Sequence, residues 1–97
     1  MSIWKYKNYL KPKIKKENQL SLNEGDTPCE NCPALAKLLE LAKVLLKREN
    51  QNPTGSFKDI SLAFQLSVYK QKGEKNFIIS SSGNAAISAI AYTKLLN

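Results

Sequence analysis

The sequence predicts an α/β fold, part of a three-layer open parallel sheet with helices on its faces. Three observations predict it. Val44-Leu45-Leu46 and Phe77-Ile78-Ile79 are short apolar runs of strand length. Longer segments with apolar residues at helical spacing alternate with them. Neither run alternates apolar with polar residues, as expected of strands covered on both faces in a parallel sheet.

The elements follow in chain order. Residues 1–19 are polar and basic, are interrupted by Pro12, and read as an N-terminal arm; residues 20–97 read as an incomplete α/β region. Asn23-Glu24-Gly25-Asp26-Thr27-Pro28 is a dense cluster of turn formers. Pro33 suits the first position of a helix, and Leu35, Leu38, Leu39 and Ala42 recur at helical spacing behind it. The run at Val44 follows as a strand, then a loop from Asn50 to Ser56. A helix from about Phe57 to Gln71 places Ile60, Ala63, Phe64, Ser67 and Val68 on one side, and Gly73 stops it. Phe77-Ile78-Ile79 is the next buried strand. Gly83 or Asn84 opens a last helix carrying Ile87, Ile90, Ala91 and Leu95.

The chain has 97 residues, of which 42% are hydrophobic, so a small core is expected rather than disorder. No apolar run is long enough to span a bilayer, and no apolar leader follows the first lysines. The expectation is a soluble, cytoplasmic protein with no membrane partner. Net charge is +7, but Lys5, Lys7, Lys11, Lys13, Lys15 and Lys16 supply six of those charges. Trp4, Tyr6 and Tyr9, interleaved with them, could stack on bases. With so little excess charge elsewhere, a solvated arm whose aromatics pack on a neighbouring domain is the preferred reading, and nucleic acid is not expected as a partner. Cys29 and Cys32 form one Cys-x-x-Cys pair. With no histidine and no other cysteine, the chain lacks the further ligands of a closed zinc site, and no metal is expected. No clear strand precedes Cys29, which argues against a redox helix opening.

Two turns carry the chemistry. The first, Pro53-Thr54-Gly55-Ser56, sets Lys58 at the head of a helix, where the macrodipole disfavours an ammonium. A lysine whose amine condenses with an aldehyde cofactor has a reason to be there; a surface lysine behind an ordinary capping turn is the plainer alternative. Asp59 reads as a helix-capping acid. The second turn, Ser80-Ser81-Ser82-Gly83-Asn84, leads from strand to helix and offers backbone amides, two hydroxyls and a side-chain amide to an anion or carboxylate. A helix capped by serine is its plainer alternative. In an open α/β sheet both turns would lie at the carboxyl ends of strands, where ligands bind.

Asn52-Pro53-Thr54-Gly55-Ser56-Phe57-Lys58-Asp59 resembles the lysine motif of the threonine synthases, members of the tryptophan-synthase-β-like, or fold type II, pyridoxal-phosphate enzymes. Ser81-Ser82-Gly83-Asn84-Ala85-Ala86 resembles the family's asparagine loop, Glu24-Gly25-Asp26-Thr27-Pro28 its Gly-x-Thr-Pro segment, and Trp4-Lys5-Tyr6 the Trp-Arg-Tyr opening of threonine synthases. The resemblance implies an N-terminal fragment of that fold. It implies that Lys58 is the Schiff-base lysine and proton shuttle for pyridoxal 5'-phosphate. Phe57 would pack beside the pyridine ring, and Asn84 would donate to the phenolic oxygen. Ser81, Ser82 and Gly83 would receive the carboxylate of an amino-acid substrate. Threonine synthases convert O-phospho-homoserine and water to threonine and phosphate.

The chain also departs from the pattern. Ile60 stands where arginine is common, and Cys29-Glu30-Asn31-Cys32 replaces the apolar residues usual after Thr-Pro. The glycine-rich phosphate loop and the hydroxyl residue near the pyridine nitrogen are not in the sequence. The expectation is a chain resembling the first quarter or so of an enzyme, inactive alone, with a complementing chain as a partner that would restore the site. The alternatives are a fragment of a threonine dehydratase-like or other β-replacement enzyme, and a non-catalytic remnant or partner-binding module.

Overall fold

Two helices packed side by side carry the structure, a computed structural model that describes residues 2–96. The helix after the lysine turn, α2, runs Lys58–Gln71, and the last helix, α3, runs Asn84–Thr93; a short α1 spans Pro33–Leu38. Gly73 ends α2 as its motif predicts. At φ +80 it takes the left-handed conformation, and the N–H groups of Gly73 and Glu74 bond the carbonyls of Lys70 and Tyr69. The core joins Leu62, Ala63 and Leu66 of α2 to Tyr92 of α3, Leu20 and Ile3.

The N-terminal segment lies along α2. The Trp4 indole packs 6.1 Å from Phe64 and donates to the Leu20 carbonyl at 2.7 Å. Gln71 bonds both Lys15 N–H and the Lys13 carbonyl, and Lys70 reaches the Glu17 carbonyl. Tyr6 and Tyr9 stay exposed.

The buried stripe of α2 is rotated from the predicted one. It comprises Asp59, Leu62, Ala63, Leu66 and Ser67, while Ile60, Phe64 and Val68 are only partly covered. Two polar residues occupy inward positions because each is bonded there: Ser67 donates to the Ala63 carbonyl at 2.6 Å and accepts the Leu20 N–H at 2.8 Å. In α3 the buried residues are likewise Ser88 and Tyr92, while Ile87 and Ile90, of the apolar set carried by this helix, are 53% and 62% exposed.

The open parallel three-layer sheet does not form. The sheet among the described residues has two antiparallel strands, β1 (Cys29–Asn31) and β2 (Leu45–Lys47), with Cys29 opposite Lys47 and Asn31 opposite Leu45. All their residues are exposed. The predicted strand at Val44 finds its partner in the Cys-x-x-Cys segment, after the chain reverses through α1. That helix stops at Leu38, short of Ala42; Leu38 lies exposed and Leu35 is half-buried. Phe77-Ile78-Ile79 takes no regular structure, and Ile78 is 103% exposed. Strand-like composition cannot make a strand without a neighbour to accept its hydrogen bonds.

The molecule is thin. Its extents are 52 × 31 × 17 Å and its radius of gyration is 16.2 Å, against about 13 Å for a compact domain of this length. The accessible surface is 6936 Å², whereas a folded monomer of this mass exposes about 5,600 Å².

Candidate active site

Lys58 is the first residue of α2 and is half-buried. Its Nζ lies 4.7 Å from the centroid of the Phe57 ring, which is itself largely exposed. The turn before it closes through the Gly55 N–H on the Asn52 carbonyl at 2.8 Å, with Pro53 fixing the first corner and Gly55 at φ +89. Ser56 is buried, and its Oγ accepts the Lys58 N–H at 3.3 Å.

Asp59 holds this turn from inside. It is fully buried, and it accepts the Thr54 N–H at 2.7 Å and the Thr54 hydroxyl at 2.5 Å. Its Oδ1 also accepts the Ser88 hydroxyl at 2.6 Å. The carboxylate thus folds the lysine turn back on itself and ties it to α3, instead of capping the free N–H groups of α2. Ser88 lies one turn beyond Asn84, so the two helices begin at the same end of the molecule.

Asn52 does the same on the other side. Its Oδ1 accepts the Gly25 N–H at 2.8 Å and its Nδ2 donates to the Glu49 carbonyl and carboxylate. Glu49 in turn accepts the Thr27 hydroxyl at 2.7 Å. Those bonds from Thr27 and then Asn52, with Lys47 nearby, hold the Glu49 carboxyl below its ordinary value. Lys47 also bonds the Thr27 carbonyl. The Glu24–Pro28 segment is therefore fastened to the lysine turn.

Glu24 anchors the rest. It is 0% exposed and forms no ion pair among the described residues, but it accepts from Ile3 N–H, Leu22 N–H, the Ser21 hydroxyl and, at 2.7 Å, the Tyr92 hydroxyl. Burial, reinforced by the bond to Glu24, pushes the Tyr92 phenol well above its ordinary range. Sequence reasoning missed Glu24, Ser88 and Tyr92 as organising residues. The signal was present in α3, where hydroxyls recur four residues apart on an alanine-rich face, at Ser88 and Tyr92.

The second turn is far looser. Ser81, Ser82 and Asn84 are exposed and Gly83 is half-buried. The Ser81 Oγ accepts the N–H groups of Gly83 at 3.1 Å and Ala86 at 3.3 Å, and it is the hydroxyl that organises the start of α3. The N–H groups of Asn84 and Ala85 have no partner among the described residues. The structure brings Lys58 and Phe57 into contact, and Asp59–Ser88 joins their helix to the one headed by Asn84.

Cys29 is exposed and Cys32 half-buried, and both are free thiols. Among the described residues no group of three or more histidine, cysteine or acidic side chains is placed to hold a metal. No helix among them is long and apolar enough to cross a membrane.

The family model described as pyridoxal-phosphate dependent enzyme matches residues 20–97, a span that holds the lysine turn, the serine-asparagine turn and the Glu24–Pro28 segment. The chain belongs to that family. It is 38% identical over 90 residues to the threonine synthase of Synechocystis sp., a match covering 92% of this chain and 23% of that protein. It is 35% identical over 94 residues to the threonine synthase of Methanocaldococcus jannaschii, covering 96% of this chain and 23% of the relative. With the threonine synthase of Halalkalibacterium halodurans it shares 36% over 97 residues, covering 95% and 27%. The chain spans about a quarter of the length of these relatives, and corresponds to an N-terminal segment of a fold type II pyridoxal-phosphate enzyme.

The residues present fit one side of pyridoxal 5'-phosphate. A lysine at a helix start beside an aromatic ring suits covalent attachment, and an exposed asparagine at the neighbouring helix start suits the ring's oxygen.

Proposed function

We propose that this chain supplies the attachment lysine and one wall of a threonine synthase-like site, and that it turns over substrate only when the rest of that site is provided. Bound there, pyridoxal 5'-phosphate supplies an electron sink for carbanions of the amino-acid substrate. Lys58 attaches the cofactor and, once released, moves protons at its Nζ. Phe57, already against that amine, covers one face of the ring. Asn84 donates to the phenolic oxygen. Ser81 and Ser82, with the backbone at Gly83, receive the substrate carboxylate, which meets the partnerless N–H groups opening α3. The substrate in this reading is O-phospho-homoserine, and the products are threonine and phosphate.

One observation carries the reading. The buried Asp59 carboxylate joins the Lys58 turn to α3, while Asn52 joins the same turn to Gly25. The lysine turn is thereby joined to α3 and to the Gly25 segment, which supports a partly preorganised site. A site with one wall lacks groups on the far side of the substrate, hence the expected inactivity of the chain by itself.

The test is phosphate release from O-phospho-homoserine, with pyridoxal 5'-phosphate added. The chain alone is expected to match a Lys58→Ala control. Co-expressed with the part of the Synechocystis threonine synthase that it does not match, the wild-type chain is expected to release phosphate and the Lys58→Ala variant not to. Equal release by both complemented chains would refute the proposal.

A further inference from the structure

A cavity of about 510 Å³ lies between the N-terminal segment, the Gly25–Thr27 stretch and α2. No residue of the lysine turn or of the serine-asparagine turn lines it. Its wall is apolar and partly aromatic, with Ile3, Tyr6 and Leu10 on one side and Ile60 and Phe64 of α2 on the other. Ile60 stands where the lysine motif commonly continues with arginine, so α2 brings no cation into this space. The polar lining carries four charged residues, the cations Lys5 and Lys47 and the acids Asp26 and Glu49. Lys5 is paired with Asp26, and Lys47 bonds the Thr27 carbonyl. Glu49 accepts the Thr27 hydroxyl on one oxygen and the Asn52 amide on the other, and those bonds keep it ionised. An ionised carboxylate has about four acceptor sites and an ammonium three donors, so all four groups can take a further partner.

We propose that this cavity binds a free α-amino acid with an aromatic side chain. The charges and the wall select that class together. A ligand of one sign would answer only the lysines or only the acids, whereas a zwitterion answers both and leaves the balance of the lining unchanged. Its ammonium meets the Glu49 and Asp26 carboxylates, and its carboxylate meets Lys5 and Lys47, all by charge-assisted bonds. Its ring lies against Phe64 and Tyr6, where tilted or offset aromatic contacts add to the apolar burial. The isoleucines close the remaining wall. The volume falls within the roughly 300–1,000 Å³ of small-molecule sites, enough for one such molecule. This binding needs no cofactor and does not depend on the proposed function.

The experiment titrates the isotope-labelled full chain, without pyridoxal 5'-phosphate, and follows amide and methyl shifts by NMR. The probes are L-phenylalanine, 3-phenylpropanoate, which lacks the ammonium, and 2-phenylethylamine, which lacks the carboxylate. L-phenylalanine is expected to move the signals of Ile3, Gly25, Ile60 and Phe64, and to bind about tenfold more tightly than either analogue. Asp26→Asn removes one carboxylate at a position with φ +49, which asparagine adopts readily. It is expected to weaken L-phenylalanine about fivefold and not to weaken 3-phenylpropanoate. Ile60→Arg sets a long cation in the wall and is expected to abolish binding, while Ile60→Val leaves it unchanged. No shift up to the solubility limit of L-phenylalanine, or shifts confined to Lys58 and Ser81–Asn84, would overturn the proposal. So would analogues that bind as tightly as L-phenylalanine, or full affinity for it in Asp26→Asn or in Ile60→Arg.

Discussion

The two sides of the α2–α3 layer are opposites. The inner side is rich in polar groups and fully satisfied: Glu24, Asp59, Ser67 and Ser88 are 0% exposed, and among the described residues no buried side-chain nitrogen or oxygen lacks a hydrogen-bond partner. The outer side is apolar and unsatisfied, with Ile78, Ile79, Ile87 and Ile90 in solvent and a backbone stretch unpaired beside them. The satisfied interior is what a native domain requires, whereas a contiguous apolar patch outside requires a cover. The contrast teaches which half of the candidate site is ready. The lysine turn grows from the satisfied side and is rigidly tied. The serine-asparagine turn grows from the bare side and is held by one hydroxyl.

The largest effect is expected on the inner side. Glu24→Ala leaves the Tyr92 hydroxyl and the N–H groups of Ile3 and Leu22 without their acceptor. A loss of about 4 kcal/mol is expected, since each buried group left unpaired costs on the order of 1–3 kcal/mol. Urea denaturation followed by circular dichroism measures it; a loss under about 1 kcal/mol would break the comparison.

A smaller effect appears at alkaline pH. The Tyr92 phenol is raised in the folded chain above its ordinary value of 10.0. The folded state then keeps a proton that the unfolded state gives up, so this contribution is complete below about pH 10 and is lost as pH rises beyond it. Denaturation midpoints recorded from pH 8 to 11 are expected to fall less steeply above pH 10 in Tyr92→Phe than in the wild type. Parallel slopes would remove Tyr92 from the account.

The smallest effect belongs to the outer side. Ile78→Ser, at a fully exposed position, is expected to change the stability of the free chain by no more than about 0.5 kcal/mol. A loss above 1 kcal/mol would mean that Ile78 is covered in the free chain, and the contrast between the two sides would weaken.

The lysine turn and the end of α2 were legible in the sequence and the sheet was not, for related reasons. Pro53, Gly55 and Gly73 act through local backbone preference, so the lysine turn and the end of α2 stand where their spacing predicts. Helix existence followed from periodicity, but helix facing did not, because Asp59, Ser88 and Tyr92 are inward residues that hydropathy places outside. The strand at Phe77 failed because pairing is not local: its composition specifies a buried strand only in the presence of a neighbour. The partner of β2 was hidden in Cys29–Asn31, which no apolar pattern marks.

The central claim is that Lys58 is the residue to which this chain attaches pyridoxal 5'-phosphate. The chain carries many other lysines, so colour in the free protein says nothing. The decisive measurement is borohydride reduction of the complemented complex with the cofactor bound, followed by peptide mapping. The account predicts label concentrated on the peptide containing Lys58, and its disappearance from that complex in Lys58→Ala. Label concentrated on an N-terminal lysine such as Lys13, with Lys58 unmodified, would contradict it.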